Sequence, residues 1–261
     1  MLKSSSAFKR IAHRGASGEA PENTLPALTL AIEKYRVDLV EMDVRVSSDG
    51  VPVVLHDETL ERTTNGTGKV RERTLQELKS YDAGFHFDPG LKGEFLSRGK
   101  GVTIPTLEEV LNQFSSMPFL IEIKDRDARS AKKVIEVVQR SPKREGTIVA
   151  SFHHSVTQEI RKRRHHAIRS LFSEREVFFT YLRFLAGLRD FTPPAHRMSL
   201  PVSRHRLRLD ERNWIHFLHR LGVRIYYWTV DDPEEMKRLM ELGADGIMTN
   251  YPQRLNQIMG L

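Results

Sequence analysis

The 261-residue chain contains no cysteine. Disulfide frameworks, thiol nucleophiles and thiolate metal sites are therefore excluded, and any bound metal must sit on oxygen or imidazole. No apolar run approaches the ~18 residues needed to cross a bilayer. Residues Met1–Arg10 lack the apolar core of a secretory signal, so the cytoplasm is the expected location. No repeat, low-complexity tract or Pro/Gly/Ser-rich linker splits the chain, which reads as one domain over 1–261. Zinc-finger, helix-turn-helix and aromatic-interleaved RNA patterns are missing too, and nucleic acid is not an expected partner.

What remains is a composition that builds a core: 39% hydrophobic and 29% charged residues. The net charge of +7 is unevenly placed. Residues 161–224 carry 15 Lys/Arg against 5 Asp/Glu, a local +10 that leaves −3 for the rest. Its densest run is Arg161-Lys162-Arg163-Arg164-His165-His166. A solvated helix face is the plain expectation. Attraction to anionic lipid or phosphorylated substrates is the sharper one, with 161–212 as the segment that would meet a membrane surface.

Short β-branched or aliphatic runs alternate with helical periods. Candidate strands are Lys9–His13, Asp38–Val44, Phe119–Lys124, Ile148–Phe152, Ile168–Phe172, Met198–Pro201, Arg224–Val230 and Gly246–Thr249. Thr24 precedes an apolar stripe of Leu25, Leu28, Ile32 and Tyr35; Thr106 with Glu109, and Ser155 with Gln158, fit capping boxes. Asp232-Pro233 with Glu235 reads as a helix start. Val51–Leu55 follows the second strand after only Ser47-Ser48-Asp49-Gly50 and must be antiparallel, because a parallel crossover needs a dozen or more residues. Eight βα units in ~250 residues predict a TIM (β/α)8 barrel, with a small insertion after the second strand, at about 45–118. A doubly wound sheet is the second choice, weakened by the missing glycine-rich dinucleotide fingerprint. The insertion holds Arg62-Thr63-Thr64-Asn65-Gly66-Thr67-Gly68, a turn or a phosphate cradle, expected at the barrel mouth.

Barrel chemistry collects at the C-terminal ends of strands. There the first strand offers His13-Arg14, the second Glu41-Met42-Asp43, and the hairpin His56-Asp57. The third parallel strand offers Glu122-Ile123-Lys124 and a later one Trp228-Thr229-Val230. Period-two alternation puts Glu41 and Asp43 on one face, and Glu122 and Lys124 on another. Three carboxylates facing a narrow interior cost several kcal/mol each unless a positive group joins them. A divalent ion on oxygen ligands, Ca²⁺ or Mg²⁺, answers this; ion pairs to Arg14, Lys124 and Arg45 are the alternative. With the ion, Arg14 and Lys124 counted, the site sums to +1 and suits a phosphodiester monoanion. His13 and His56 supply an acid–base pair near neutral pH. The other nine histidines have no comparable setting.

These residues resemble the glycerophosphodiester phosphodiesterase family. The likeness runs through Ile11-Ala12-His13-Arg14-Gly15, Pro21-Glu22-Asn23-Thr24, Glu41-Met42-Asp43-Val44, Val54-Leu55-His56-Asp57 and Arg62-Thr63-Thr64-Asn65-Gly66. It resumes at Ile104-Pro105-Thr106-Leu107-Glu108-Glu109, Ile121-Glu122-Ile123-Lys124, Ser151-Phe152 and Trp228-Thr229-Val230. The resemblance implies a TIM barrel in which Glu41, Asp43 and Glu122 hold the metal and His13 and His56 are the acid–base pair. Arg14 and Lys124 would clamp phosphate, with Trp228 as a wall. It implies a small glycerophosphodiester as substrate, with glycerol 3-phosphate and an alcohol as products.

Two departures stand out. Where the family closes on Thr-Asp-x-Pro, this chain has Thr249-Asn250-Tyr251-Pro252. Arg161–Arg212 matches the family poorly and contains Val177-Phe178-Phe179-Thr180-Tyr181-Leu182-Arg183-Phe184-Leu185. That stretch is either a packed barrel helix or an interfacial lid. The lid would point to a lysophospholipid or phosphatidylinositol-like substrate.

Overall fold

Runs rich in Val, Ile and Leu alternate with amphipathic segments, and the computed structural model folds them into strands and helices in turn. It describes residues 8–90, 92–141, 145–164, 167–188, 190–204 and 207–261. In chain order these are β1 (Lys9–Ala12), α1 (Leu25–Thr29), β2 (Leu39–Val46), β3 (Pro52–Val54), α2 (Leu75–Ser80), α3 (Leu107–Gln113), β4 (Phe119–Ile123) and α4 (Ala128–Arg140). There follow β5 (Ile148–Ala150), α5 (His154–Arg163), α6 (Glu174–Leu185), β6 (Arg197–Pro201), β7 (Ser203–Arg204), β8 (Leu207–Arg208) and α7 (Arg212–Arg220). The chain ends with β9 (Arg224–Trp228), α8 (Pro233–Leu242), β10 (Gly246–Thr249) and α9 (Pro252–Met259).

The parallel ladder runs β5-β4-β2-β1-β10-β9-β6, with β3 antiparallel on β2 as the short turn demands. This is the curled sheet of a TIM barrel. One expected stave is reduced. Ile168–Phe172 is no strand; it joins β5 at a single bridge, where Arg169 N–H donates to Thr147 O at 3.0 Å and Arg169 O accepts from Val149 N–H at 2.9 Å. The cause lies in the basic run just before it. Arg164 Nη1 donates to Ile168 O at 2.6 Å and Arg161 Nη2 to Leu171 O at 2.9 Å, so guanidinium groups take carbonyls that a longer ladder would use. Arg161 also pairs with Glu176, and Arg163 with Glu159. Much of the basic run is thus internal bracing rather than a free charged face; His165 and His166 lie outside the described residues, as does His205.

Side-chain alternation sorts the strands into two layers. Val40, Met42, Val44, Ile121 and Ile123 point outward and pack under the helices with Val110, Val134 and Ile160. Ile11, Leu39, Leu120, Ile148, Leu171, Tyr226 and Met248 fill the barrel interior, so Leu171 keeps its inward place although its ladder is short. Each fully buried aliphatic side chain contributes about 1.5–3 kcal/mol to this core. Along β2 and β4 the next inward positions toward the C-terminal ends are Glu41, Asp43 and Glu122, and the core gives way to charge there.

Helix starts follow their caps. Thr106 with Glu109 forms the expected capping box, and Asp232 accepts from Glu235 N–H. Ser155 with Gln158 does not: α5 begins at His154, two residues before a Ser155 cap would start it, and the equivalent boxes occur at Thr74–Glu77 and Ser173–Glu176. The Arg62–Gly68 stretch is a closed turn. Thr64 Oγ1 donates to Leu60 O at 2.8 Å and accepts from Gly66 N–H at 2.9 Å, while Gly68 N–H donates to Glu61 Oε1 at 2.7 Å, which leaves those glycine amides no phosphate to hold. In α6, Val177, Tyr181 and Phe184 pack on the core beside Trp214, whereas Phe178 and Leu185 are 57% and 63% exposed. No helix among the described residues is long and apolar enough to cross a membrane.

Candidate active site

The acid trio is built by register. Asp43 on β2 stands directly beside Glu122 on β4, and Glu41 lies two residues below Asp43 on the same inward face. Oxygen atoms from Glu41, Asp43 and Glu122 all lie within 4.8 Å of one another. Asp43 and Glu41 are only 0% and 2% exposed.

Burial of that density does not tolerate three free charges. Burial, reinforced by Asp43 and Glu122, pushes the Glu41 carboxyl well above its ordinary range. Glu122 is pushed up as well, by burial first and by Asp43, against the pull of Lys124. Asp43 goes the other way: burial alone would raise it, but Lys124 and Arg14 outweigh burial and hold it ionised. Lys124 Nζ is 3.0 Å from Asp43 Oδ1 and also pairs with Glu122, and Arg14 Nε is 3.0 Å from Asp43 Oδ2. Neither contact to Asp43 has hydrogen-bond alignment, so buried Asp43 Oδ1 keeps no directional donor. Arg45 is not part of this set; it reaches Asp125 at 3.2 Å and donates through Nε to His56 O at 2.9 Å.

The loop after β1 turns sharply to bring Arg14 in. Gly15 has φ +83°, and a Cβ there would lie 2.6 Å from the Ala27 backbone, so only glycine fits. The turn puts Arg14 itself at φ +58° and aims its backbone N–H at Glu41 Oε2, 2.9 Å away. Asn23, also left-handed at φ +57°, makes a reciprocal pair with Asp43: Nδ2 donates to Oδ2 at 2.9 Å, and Oδ1 accepts from Asp43 N–H at 3.1 Å. Non-glycine residues in that region cost of order 1–3 kcal/mol and cluster at functional sites.

The two histidines approach the trio with different partners. His13 Nδ1 is 2.7 Å from Asn250 Oδ1, and Asn250 Nδ2 donates to Asp231 Oδ2 at 2.6 Å. Burial, with Arg14 alongside, lowers His13 to about 4. His56 Nδ1 is 2.7 Å from Asp57 Oδ1, and Arg62 grips Asp57 while donating to both Glu22 oxygens at 2.8 and 2.7 Å. Glu22 in turn accepts from Arg14 Nη1 at 2.9 Å, which closes a chain of charges from one histidine to the other.

All of the expected site residues except the fully buried Asp43 line one cavity of about 210 Å³: His13, Arg14, Glu41, His56, Glu122, Lys124 and Trp228. Trp228 stands on its wall, with its ring 5.6 Å from that of Phe152. Asn23, Asp231, Arg62 and Phe152 were not singled out from the sequence as site residues. Asn23 and Arg62 sit inside recognisable motifs, and Asp231 carries no local signal at all. Among the remaining histidines, His154 pairs with Ser173 Oγ at 3.0 Å and His219 with Asp245 at 2.8 Å, both away from the trio.

The oxygen-only trio fits a hard divalent cation: an open acceptor on Asp43 faces two carboxyls that are hard to ionise without added positive charge. Fold and site together define a barrel hydrolase of phosphate esters. The chain belongs to the glycerophosphoryl diester phosphodiesterase family, whose model matches residues 13–254. It is 34% identical, over 94% of its length and 95% of the relative's, to a glycerophosphodiester phosphodiesterase of Caldanaerobacter subterraneus. A lysophospholipase D of Homo sapiens is 30% identical over 96% of this chain and 86% of its own. Among solved structures, an Oleispira antarctica phosphodiesterase in complex with the product sn-glycerol-3-phosphate superposes with TM-score 0.77 at 25% identity, covering 97% of each chain. A glycerophosphodiester phosphodiesterase from Agrobacterium tumefaciens gives TM-score 0.77 at 29% identity, over 96% of this chain and 99% of that one.

Proposed function

We propose that this protein is a divalent-metal-dependent glycerophosphodiester phosphodiesterase that releases glycerol 3-phosphate and an alcohol. The observation that carries the reading is the trio of Glu41, Asp43 and Glu122 within 4.8 Å, flanked by two histidines on one cavity. Glu41, Asp43 and Glu122 would hold Ca²⁺ or Mg²⁺, which when bound neutralises charge on the phosphate. Arg14 and Lys124 bind the non-bridging oxygens, and Trp228 walls the substrate.

The histidine partners divide the proton work. Asn250 is turned by Asp231 so that its oxygen accepts from His13 Nδ1–H, which leaves Nε2 as the free basic atom. An amide does little to stabilise an imidazolium, and His13 is neutral at pH 7. His13 therefore takes the proton of the attacking hydroxyl. His56 is oriented through Nδ1 by the Asp57 carboxylate, which leaves Nε2 toward the cavity, and it delivers a proton to the departing alkoxide as the bond from phosphorus to the headgroup oxygen breaks. Hydrolysis consumes one water in total. The test is formation of glycerol 3-phosphate from glycerophosphocholine with Ca²⁺ or Mg²⁺ present. Turnover is expected; no product with either metal overturns the reading.

A second reading, action on a lysophospholipid, is favoured by one feature. Phe152 lines both the catalytic cavity and an apolar groove of about 890 Å³ bounded by Val177, Phe178, Tyr181 and Leu207. This groove would take an acyl chain on the glycerol side and seat the exposed face of α6 at a membrane. Release of choline from lysophosphatidylcholine, in preference to glycerophosphocholine, would select it.

A further inference from the structure

A second cavity, of about 750 Å³, opens between the β2–β3 turn and the start of α4, and Lys124 lines both it and the catalytic pocket. Its lining carries six Lys/Arg side chains against three acids. Each acid is already engaged. Asp125 accepts from Val46 N–H and Ser130 Oγ, both at 3.0 Å, and from Arg45. Asp127 caps α4 and pairs with Arg129 at 2.6 Å, while Glu58 pairs with Lys69 at 3.2 Å. Among the described residues, no carboxylate lies within ion-pair distance of Arg71, Arg126 or Lys133. Three unneutralised cations therefore face one concavity, and the first turn of the 13-residue α4, whose N-terminal end favours negative charge, forms part of the same wall.

We propose that this cavity is an anion subsite for a phosphate monoester group. A dianionic phosphate, about −1.5 to −2 at neutral pH, matches the surplus. Its place relative to the chemistry gives the subsite a role. Arg45, on the cavity wall, donates to the His56 carbonyl at 2.9 Å, so the cavity adjoins the segment that carries the proposed general acid. The inference rests on the function proposed above and narrows it: the preferred substrates are glycerophosphodiesters whose alcohol carries its own phosphate. A free phosphate ion offers the same chemistry, and the experiment separates the two sources.

Glycerophosphoinositol 4-phosphate and glycerophosphoinositol differ by one phosphate monoester and serve as the probes on the metal-loaded protein. kcat/KM is expected to be about tenfold higher for the phosphorylated diester at low salt, the worth of two good charge contacts. The double variant Arg126→Ala/Lys133→Ala should erase that preference and leave glycerophosphoinositol turnover unchanged. A preference that survives in the double variant overturns the assignment. Equal kcat/KM for the two diesters overturns the substrate role. Calorimetry with inorganic phosphate then decides the cavity itself: binding weakened in the double variant makes free phosphate the ligand, and unchanged binding removes the site. If neither diester is hydrolysed, the functional reading fails, and the same calorimetric comparison still upholds or overturns the anion site.

Discussion

His13 Nδ1 lies 2.7 Å from the side-chain oxygen of Asn250, so an amide holds one histidine of the site while a carboxylate, Asp57, holds the other. Ser17 Oγ also donates to Asn250 Oδ1 at 2.8 Å, and the Asn250 backbone N–H donates to Asp231 Oδ1 at 2.8 Å. The loss of the family's closing carboxylate is thereby absorbed: the negative charge lies one hydrogen bond further from His13, on Asp231, and His13 is left with a neutral partner.

Asn250→Asp tests that arrangement. Burial and Arg14 lower His13 from its ordinary 6.5 to about 4, so its imidazole is neutral from mildly acidic pH upward. A carboxylate at position 250 should raise that value and move the acidic limb of the kcat/KM profile toward neutral pH. An unshifted limb would show that the amide does not set the basicity of His13.

The proposed metal binding by the trio should depend on pH. Burial, then Asp43 and Glu122, raise Glu41 above its unfolded value, so it keeps a proton in the metal-free protein. A raised carboxyl contributes stability below the unfolded pKa, and that contribution is lost as pH rises through the folded one. Melting temperature in chelator should therefore fall as pH rises above the ordinary glutamate value of 4.5, while the Ca²⁺- or Mg²⁺-loaded protein should hold steady. Parallel curves with and without metal would remove Glu41 from the ion.

Glu122→Gln should weaken metal affinity by at least about tenfold, since one charged ligand is replaced by a neutral amide. Folding should be little harmed, because the neutral side chain suits a largely enclosed position beside two other carboxyls. Equal loss of melting temperature in metal-free and metal-loaded samples would make Glu122 a structural residue.

Asn23→Ala should cost about 2–3 kcal/mol, because it strips two buried hydrogen bonds from Asp43, leaving its backbone N–H without a partner and its carboxylate with the two ion pairs alone. Urea denaturation of the two proteins measures this. A change below about 0.5 kcal/mol would mean that water replaces the amide.

The parts legible in the sequence are those governed by a fixed period or a chain-length limit. Alternation along Glu41-Met42-Asp43 and Glu122-Ile123-Lys124 foretold which side chains share the interior, and the four residues before Val51 foretold an antiparallel return. The stave at 168–172 misled because its Ile-Arg-Ser-Leu-Phe composition suits a strand, while the guanidinium groups that occupy its carbonyls come from Arg161 and Arg164, outside the run. The Ser155 cap failed for a local reason: α5 starts two residues sooner, with His153 at its cap, and Ser155 falls inside it. Asp231 was hidden because its partner is 19 residues distant and no motif marks it, whereas Asn23 stood in a motif whose spacing says nothing of Asp43, 20 residues on.

The most direct test follows glycerol 3-phosphate formation from glycerophosphocholine through one cycle of metal removal and return. Protein stripped with excess chelator should form no product, and dialysis against Ca²⁺ or Mg²⁺ should restore the rate. Undiminished turnover in the chelator would contradict the account, because the three clustered acids would then have no cation to hold.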